Sequence, residues 1–141
     1  MRVLVDTSVW SLALRRRPGR LSPAQERLRG ELAELIREGR VEMPGLVRQE
    51  LLSGIREERQ FDRLRRELRA FADVRIETED HEQAARISNT CRRRSVAGSA
   101  VDFLLCALAV RREWTLFTTD RDFSRYARLV GLRLHEPRPV A

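Results

Sequence analysis

The stretch that most limits what this chain can fold into is Arg2-Val3-Leu4-Val5-Asp6-Thr7-Ser8. Val3, Leu4 and Val5 form a continuous, β-branched-rich apolar run, the pattern of a strand buried on both faces of a parallel sheet. The run ends on a carboxylate with two hydroxyl side chains directly behind it. A desolvated carboxylate without a partner is costly or takes up a proton, so buried strands rarely end this way without a use for the charge. Acids at the carboxyl ends of parallel strands stand where open α/β sheets bind their ligands. The alternative is that Asp6 caps a helix over Thr7 to Leu14. This segment alone leaves the two readings level, and other acids reaching the same edge would decide between them.

The rest of the chain alternates in the same manner. Ser22-Pro23-Ala24-Gln25 starts a helix, with Ser22 as N-cap, Pro23 in the first helical position and Gln25 completing a capping box. Leu28, Leu32, Leu35 and Ile36 fall on its inner face, and Gly39 stops it. Val41-Glu42-Met43 reads as a second strand closed by Pro44, and Leu46 to Ser53 as a helix with Glu50 among its leucines. Gln60 to Phe71 is another amphipathic helix, and Val74-Arg75-Ile76 a third strand. Thr78 caps a helix running to about Arg93, and Ser99-Ala100-Val101-Asp102 opens the most apolar helix in the chain. Thr115 to Thr119 is a fourth strand, followed at once by Asp120-Arg121-Asp122-Phe123. A short helix to Leu129 and a last strand, Leu132 to Leu134, complete the pattern. Strands alternating with helices predict a three-layer α/β/α sandwich around a central, mostly parallel sheet, in a single domain over residues 1–141.

Composition narrows the chemistry. All 28 basic residues are arginine, and the net charge is +7. Clusters at Arg15-Arg16-Arg17, Arg65-Arg66, Arg92-Arg93-Arg94 and Arg111-Arg112 suit bidentate contact with phosphate, although many arginines must simply coat solvated helix faces. Without lysine there is no phosphate-binding loop of the Gly-rich, Lys-terminated kind, and phosphoacceptor folds that hold a phosphoryl group with lysine are weakened as well. Cys91 and Cys106 have neither metal-like nor redox-like spacing and are expected to be buried thiols. His81 and His135 are isolated, which argues against zinc. Only Val101 to Val110 approaches a long apolar run, and Asp102 interrupts it, so no membrane association is expected. With Asp6 where a signal peptide's apolar segment would lie, the expected location is the cytoplasm.

Four acids remain. Asp6 ends strand one and Asp120 follows strand four, at the same edge of an open sheet. Glu50 sits on an otherwise apolar helix, and Asp102 interrupts the most hydrophobic one. Each has a bland explanation: a helix cap for Asp6 and Asp102, an arginine partner for Glu50, a turn for Asp120. Four such coincidences at the ends of core elements are harder to accept. Carboxylates crowded together repel, and a hard divalent cation relieves that repulsion. All-oxygen ligands select Mg²⁺ or Mn²⁺, and such an ion can activate water against a phosphodiester. Acids, metal and an arginine-rich surface together read as a nuclease.

These residues resemble the PIN-domain ribonucleases, and within them the VapC-type toxins of toxin–antitoxin pairs. The resemblance rests on Val3 to Ser8, on Pro44 through Gly54 with Glu50-Leu51, on Asp102 and Ala107 after the Gly98 loop, and on Thr118, Asp120, Asp122 and Phe123. It implies a metal-dependent endoribonuclease in which Asp6, Glu50, Asp102 and Asp120 form the catalytic set. Asp6, Asp102 and Asp120 would hold Mg²⁺ or Mn²⁺, with Ser8, Thr118 and Asp122 in support. It also implies a homodimer, an RNA substrate and inhibition by a cognate VapB-type antitoxin. Arg15, Arg16 and Arg17 would form an RNA-contacting arm or a plain loop. The competing readings are a non-catalytic RNA-binding module and a DNA nuclease or phosphatase on a similar fold.

Overall fold

Val3, Leu4 and Val5 are wholly buried and form β1 (Val3–Val5), the middle strand of the sheet. The structure is a computed structural model and describes residues 1–14 and 19–139. After β1 come α1 (Thr7–Leu14), α2 (Pro23–Arg37), β2 (Val41–Pro44), α3 (Gly45–Leu52), α4 (Glu58–Leu68) and β3 (Asp73–Val74). The second half comprises α5 (Thr78–Arg93), α6 (Ala100–Arg112), β4 (Thr115–Phe117), α7 (Asp122–Leu129) and β5 (Arg133–Leu134). The strand order is β3-β2-β1-β4-β5, and every pairing is parallel rather than most of them.

That order positions the site. Connections from β1 to β2 to β3 run outward on one side of β1, and the chain then returns to build β4 and β5 on the other. Crossovers of one hand put the helices of the two halves on opposite faces. The helices sort accordingly, with α1 to α4 packed among themselves and α5 packed on α6 and α7. The reversal falls between β1 and β4, where Val3, Leu4 and Val5 stand opposite Thr115, Leu116 and Phe117. Ligand crevices in open parallel sheets form at the carboxyl ends of the strands flanking such a reversal. Asp6 follows one of these strands and Thr118 the other, and the Asp6 N–H extends the ladder to the Phe117 carbonyl at 2.9 Å.

Local signals act largely as their chemistry dictates. At α2, Ser22 and Gln25 satisfy each other's backbone N–H groups in a complete capping box, and Gly39 takes a positive φ of 67° just past the helix end. The third strand is shorter than its apolar residues suggest. It stops at Val74 because the Arg75 carbonyl accepts from Arg112 Nη2 at 2.8 Å instead of from a neighbouring strand. α5 begins one residue earlier than Thr78 indicates, with Glu77 as its N-cap and Asp80 closing the box. Ile36 is partly exposed rather than inward. Cys91 and Cys106 are free and buried, and burial, helped by the charge on Asp102 and by Cys91, pushes the Cys106 thiol up to about 12. Among the described residues no helix is long and apolar enough to cross a membrane.

Two buried acids lock the periphery. Glu31 on α2 lies 2.7 Å from His135 Nε2 and accepts from Arg138 N and Nε, which ties the segment after β5 down. Asp80 is inaccessible to solvent and accepts from Arg111 and Arg112 at the far end of α6. The Arg111-Arg112 pair, one of the clusters that suit phosphate, is therefore largely engaged in holding α5 to α6.

Candidate functional site

Asp6 leaves β1 at the reversal point and is held by three donors. Thr7 N–H donates to Oδ1 at 2.8 Å; Ser8 Oγ and Thr118 Oγ donate to Oδ2 at 2.9 and 2.8 Å. The main-chain carbonyl of Asp6 accepts from Val9 and Trp10, so the residue also starts α1. Asp6 thus starts a helix while its carboxylate stands at the carboxyl edge of the sheet. Its carboxylate is fixed by two hydroxyls, Ser8 in the first turn of α1 and Thr118 just past β4.

Thr118 extends this link. Its hydroxyl accepts from the Asp120 N–H at 3.0 Å, and Ser8 Oγ accepts from the Thr119 N–H at 3.0 Å. Asp120 Oδ1 in turn accepts from the Asp122 N–H at 2.9 Å, which turns the chain into α7. Asp122 is paired with Arg125 one turn along the helix. On the other flank, Thr7 Oγ donates to Glu50 Oε2 at 2.8 Å, joining α1 to α3. Glu50, Thr7, Asp6, Thr118 and Asp120 therefore form one connected polar chain across the carboxyl edge of the sheet.

Asp102 reaches the same side by a different route. It lies half-buried in the first turn of α6, where the Ser99 hydroxyl accepts from its N–H at 3.1 Å. Its Oδ2 accepts from Tyr126 Oη at 3.1 Å. Burial, followed by the negative charges of Asp102, Asp122 and Asp120, holds the Tyr126 phenol well above its ordinary pKa. All three acids thus act electrostatically on one hydroxyl. Tyr126 and Thr7 are the site residues that sequence reasoning missed. Tyr126 is the one tyrosine in the chain, and it lies on the inner face of an amphipathic helix, where a buried phenol needs a polar partner.

The donor set is all oxygen, with neither lysine nor histidine in the hydrogen-bonded chain. Among the described residues, Asp102 Oδ1 and Asp120 Oδ2 accept no hydrogen bond, so each acid keeps an oxygen available. By chemistry this set fits a hard divalent ion. It is not a closed cage, because among the described residues no three Asp, Glu, His or Cys chains lie close enough to hold an ion on their own. Arg15, Arg16 and Arg17 lie outside the described residues. Exposed arginines in the second half of the chain include Arg92, Arg93 and Arg94 at the end of α5, and Arg121, Arg125 and Arg128 at and along α7.

Comparison with known proteins follows the same outline. The family model described as PIN domain matches residues 3–129. No curated protein matches the chain. Among solved structures, FitAcB from Neisseria gonorrhoeae superposes with a TM-score of 0.76 at 22% identity, over 96% of this chain and 97% of that one. A DNA-bound VapBC from Salmonella typhimurium gives 0.72 at 15% identity, over 96% and 97%. A toxin–antitoxin complex from Klebsiella pneumoniae gives 0.66 at 18% identity, over 98% and 99%.

Proposed function

The chain belongs to the PIN domain family, and from that premise we propose that it is a metal-dependent endoribonuclease acting as the toxin of a VapBC-type pair. The observation that carries this reading is the connected chain from Glu50 through Thr7, Asp6 and Thr118 to Asp120 at the strand-order reversal. Asp6, Asp102 and Asp120 would hold Mg²⁺ or Mn²⁺, with Glu50 beside them. Such an ion, when bound, supplies a water nucleophile at neutral pH and stabilises the leaving oxygen of a phosphodiester.

The remaining work falls to the protein's own groups. Thr7 N–H, Ser8 and Thr118 orient the Asp6 carboxylate. Asp122 orders the turn that carries Asp120. Exposed arginines near the carboxyl edge attract and align a polyanion. A soluble cytoplasmic homodimer and a cognate VapB-type antitoxin complete the reading, the latter supported by relatives of the same fold that are described as VapBC or toxin–antitoxin complexes. A groove of about 770 Å³ beside the end of α1, lined by Leu14, Ile55 and Leu64 with Arg56 and Arg63 beside Glu57 and Glu67, offers mixed apolar and charged surface for a protein partner.

The open spacing of the acids favours one alternative, a non-catalytic RNA-binding module. Incubating single-stranded RNA and DNA with the wild type and with Asp6→Asn, with and without Mg²⁺ or Mn²⁺, separates them. Metal-dependent cleavage of RNA that is lost in Asp6→Asn is expected. Salt-sensitive binding with no product at any metal concentration would leave the binding module standing instead.

A further inference from the structure

The starts of α2, α5 and α6 differ in how the residue three past the cap uses its side chain. At α2, Ser22 and Gln25 exchange both hydrogen bonds, and at α5, Glu77 and Asp80 do the same. At α6, Ser99 accepts from the Asp102 N–H, but the Ser99 N–H does not donate back to the Asp102 carboxylate. The carboxylate is instead engaged by a phenol from α7.

We propose that Tyr126 is a positioning residue for Asp102, drawing its carboxylate out of the capping box and fixing one oxygen so that the other is presented for a divalent ion. The proposal rests on the metal-holding reading of Asp102 given above. Tyr126 is fully buried, and its ring is held by Phe103 at 5.2 Å and Phe123 at 5.3 Å between centroids. The hydroxyl carries one proton and faces two acceptors, Asp102 Oδ2 at 3.1 Å and the Ala97 carbonyl at 3.3 Å. A charged acceptor makes the stronger bond, so the proton goes to Asp102.

Gly98 is shaped around this contact. A Cβ there would lie 2.5 Å from the phenol oxygen and 2.6 Å from Phe103 Cζ. Its φ is not positive, so glycine is needed here for space rather than for backbone torsion. The loop before α6 therefore closes directly onto the hydroxyl that holds Asp102. With Oδ2 occupied, Asp102 Oδ1 is the oxygen left without a hydrogen bond among the described residues. Hydrogen bonds that orient metal-binding side chains typically change metal affinity or activity 10- to 100-fold when removed.

The test uses the full chain as wild type, Tyr126→Phe and Gly98→Ala. Mn²⁺ affinity is read from the free-ion paramagnetic resonance signal, and RNA cleavage is followed across a Mn²⁺ series. Tyr126→Phe keeps the ring and should weaken Mn²⁺ binding about 10- to 100-fold, with cleavage recovering at saturating Mn²⁺. Gly98→Ala keeps every hydrogen-bonding group but crowds the hydroxyl, and should weaken Mn²⁺ in the same direction even if Tyr126→Phe fails to fold. Unchanged Mn²⁺ affinity in either folded variant would overturn the proposal, as would a cleavage defect that no Mn²⁺ concentration relieves. A wild type that binds no Mn²⁺ would remove both this proposal and the metal-dependent reading. Weakened Mn²⁺ binding in the variants of a protein that cuts no RNA would uphold the positioning role and sink only the nuclease.

Discussion

Asp80 and Asp102 occupy the same place in consecutive helices and end up with opposite environments. Each is the third residue of its helix, at the positive end of the helix dipole, three residues after a capping residue. Asp80 closes its box onto the Glu77 N–H at 2.7 Å and accepts from Arg111 and Arg112. It has no exposed surface. Asp102 leaves its box half-made, has no arginine partner among the described residues, and stays half-buried against a single phenol. A fully satisfied carboxylate stabilises the packing around it and is unavailable for other work. An under-satisfied one at a sheet edge is available, and the neighbouring structure must restrain it. The contrast separates an acid that holds the molecule together from one that the proposed function assigns to the site.

The largest expected effect comes from removing the charge at Asp80. Asp80→Asn leaves two arginines facing a buried amide, and breaking a buried pair in this way costs about 3–5 kcal/mol. Urea unfolding should show that loss, while metal-dependent cleavage per folded molecule stays near the wild-type value. A variant as stable as the wild type would mean that Asp80 is not the clamp between α5 and α6. Acid sharpens the same point. Burial works to raise the Asp80 pKa, but Arg112, the Glu77 N–H and Arg111 outweigh it, and the group titrates well below the ordinary carboxylate range. A depressed native pKa contributes stability that is fully present above the unfolded value, about 3.9, and is lost as pH falls below it. Wild-type stability should therefore fall below about pH 4, with a shallower slope in Asp80→Asn.

Asp102→Asn should reverse that pattern. Cleavage is expected to drop by more than the roughly 100-fold that follows loss of an outer partner, with the unfolding transition close to wild type. The wild type should also gain thermal stability in Mg²⁺ or Mn²⁺, by about 2.7 kcal/mol at 100 times the dissociation constant, and Asp102→Asn should gain much less. An equal gain in both proteins would place the ion elsewhere and break the comparison from the Asp102 side.

The two acids were not equally legible. Asp102 stands out in sequence because it interrupts an apolar helix, and Asp6 because it ends a buried strand; both signals are local. Asp80 is surrounded by Glu77, Glu79 and Glu82 and looks like part of a solvated helix start. Its burial depends on Arg111 and Arg112, more than thirty residues away, and no local pattern carries that information. The same distance explains why those arginines read as phosphate-binding. The alternating strand-and-helix pattern foretold the parallel sheet because the period of each element is written in its own residues. The ends of β3 and the roles of Thr7 and Tyr126 depend on what packs against them across the fold.

The smallest effect offers the finest comparison. Ser22 and Ser99 each accept from the backbone N–H three residues on, both at 3.1 Å, so replacing either with alanine should cost a similar amount of stability, about 1 kcal/mol. Their consequences for the site should differ. Ser22 starts α2, where the returning Gln25 bond belongs to the cap alone. Ser99 holds the backbone of Asp102 while Tyr126 holds its side chain, so Ser99→Ala removes one of the two restraints on that carboxylate. Ser99→Ala should therefore move the Mn²⁺ midpoint for cleavage a few-fold, and Ser22→Ala should leave it in place. If the two substitutions shift the midpoint equally, the half-made box is only a weaker cap. Asp102 would then owe its position to the helix as a whole.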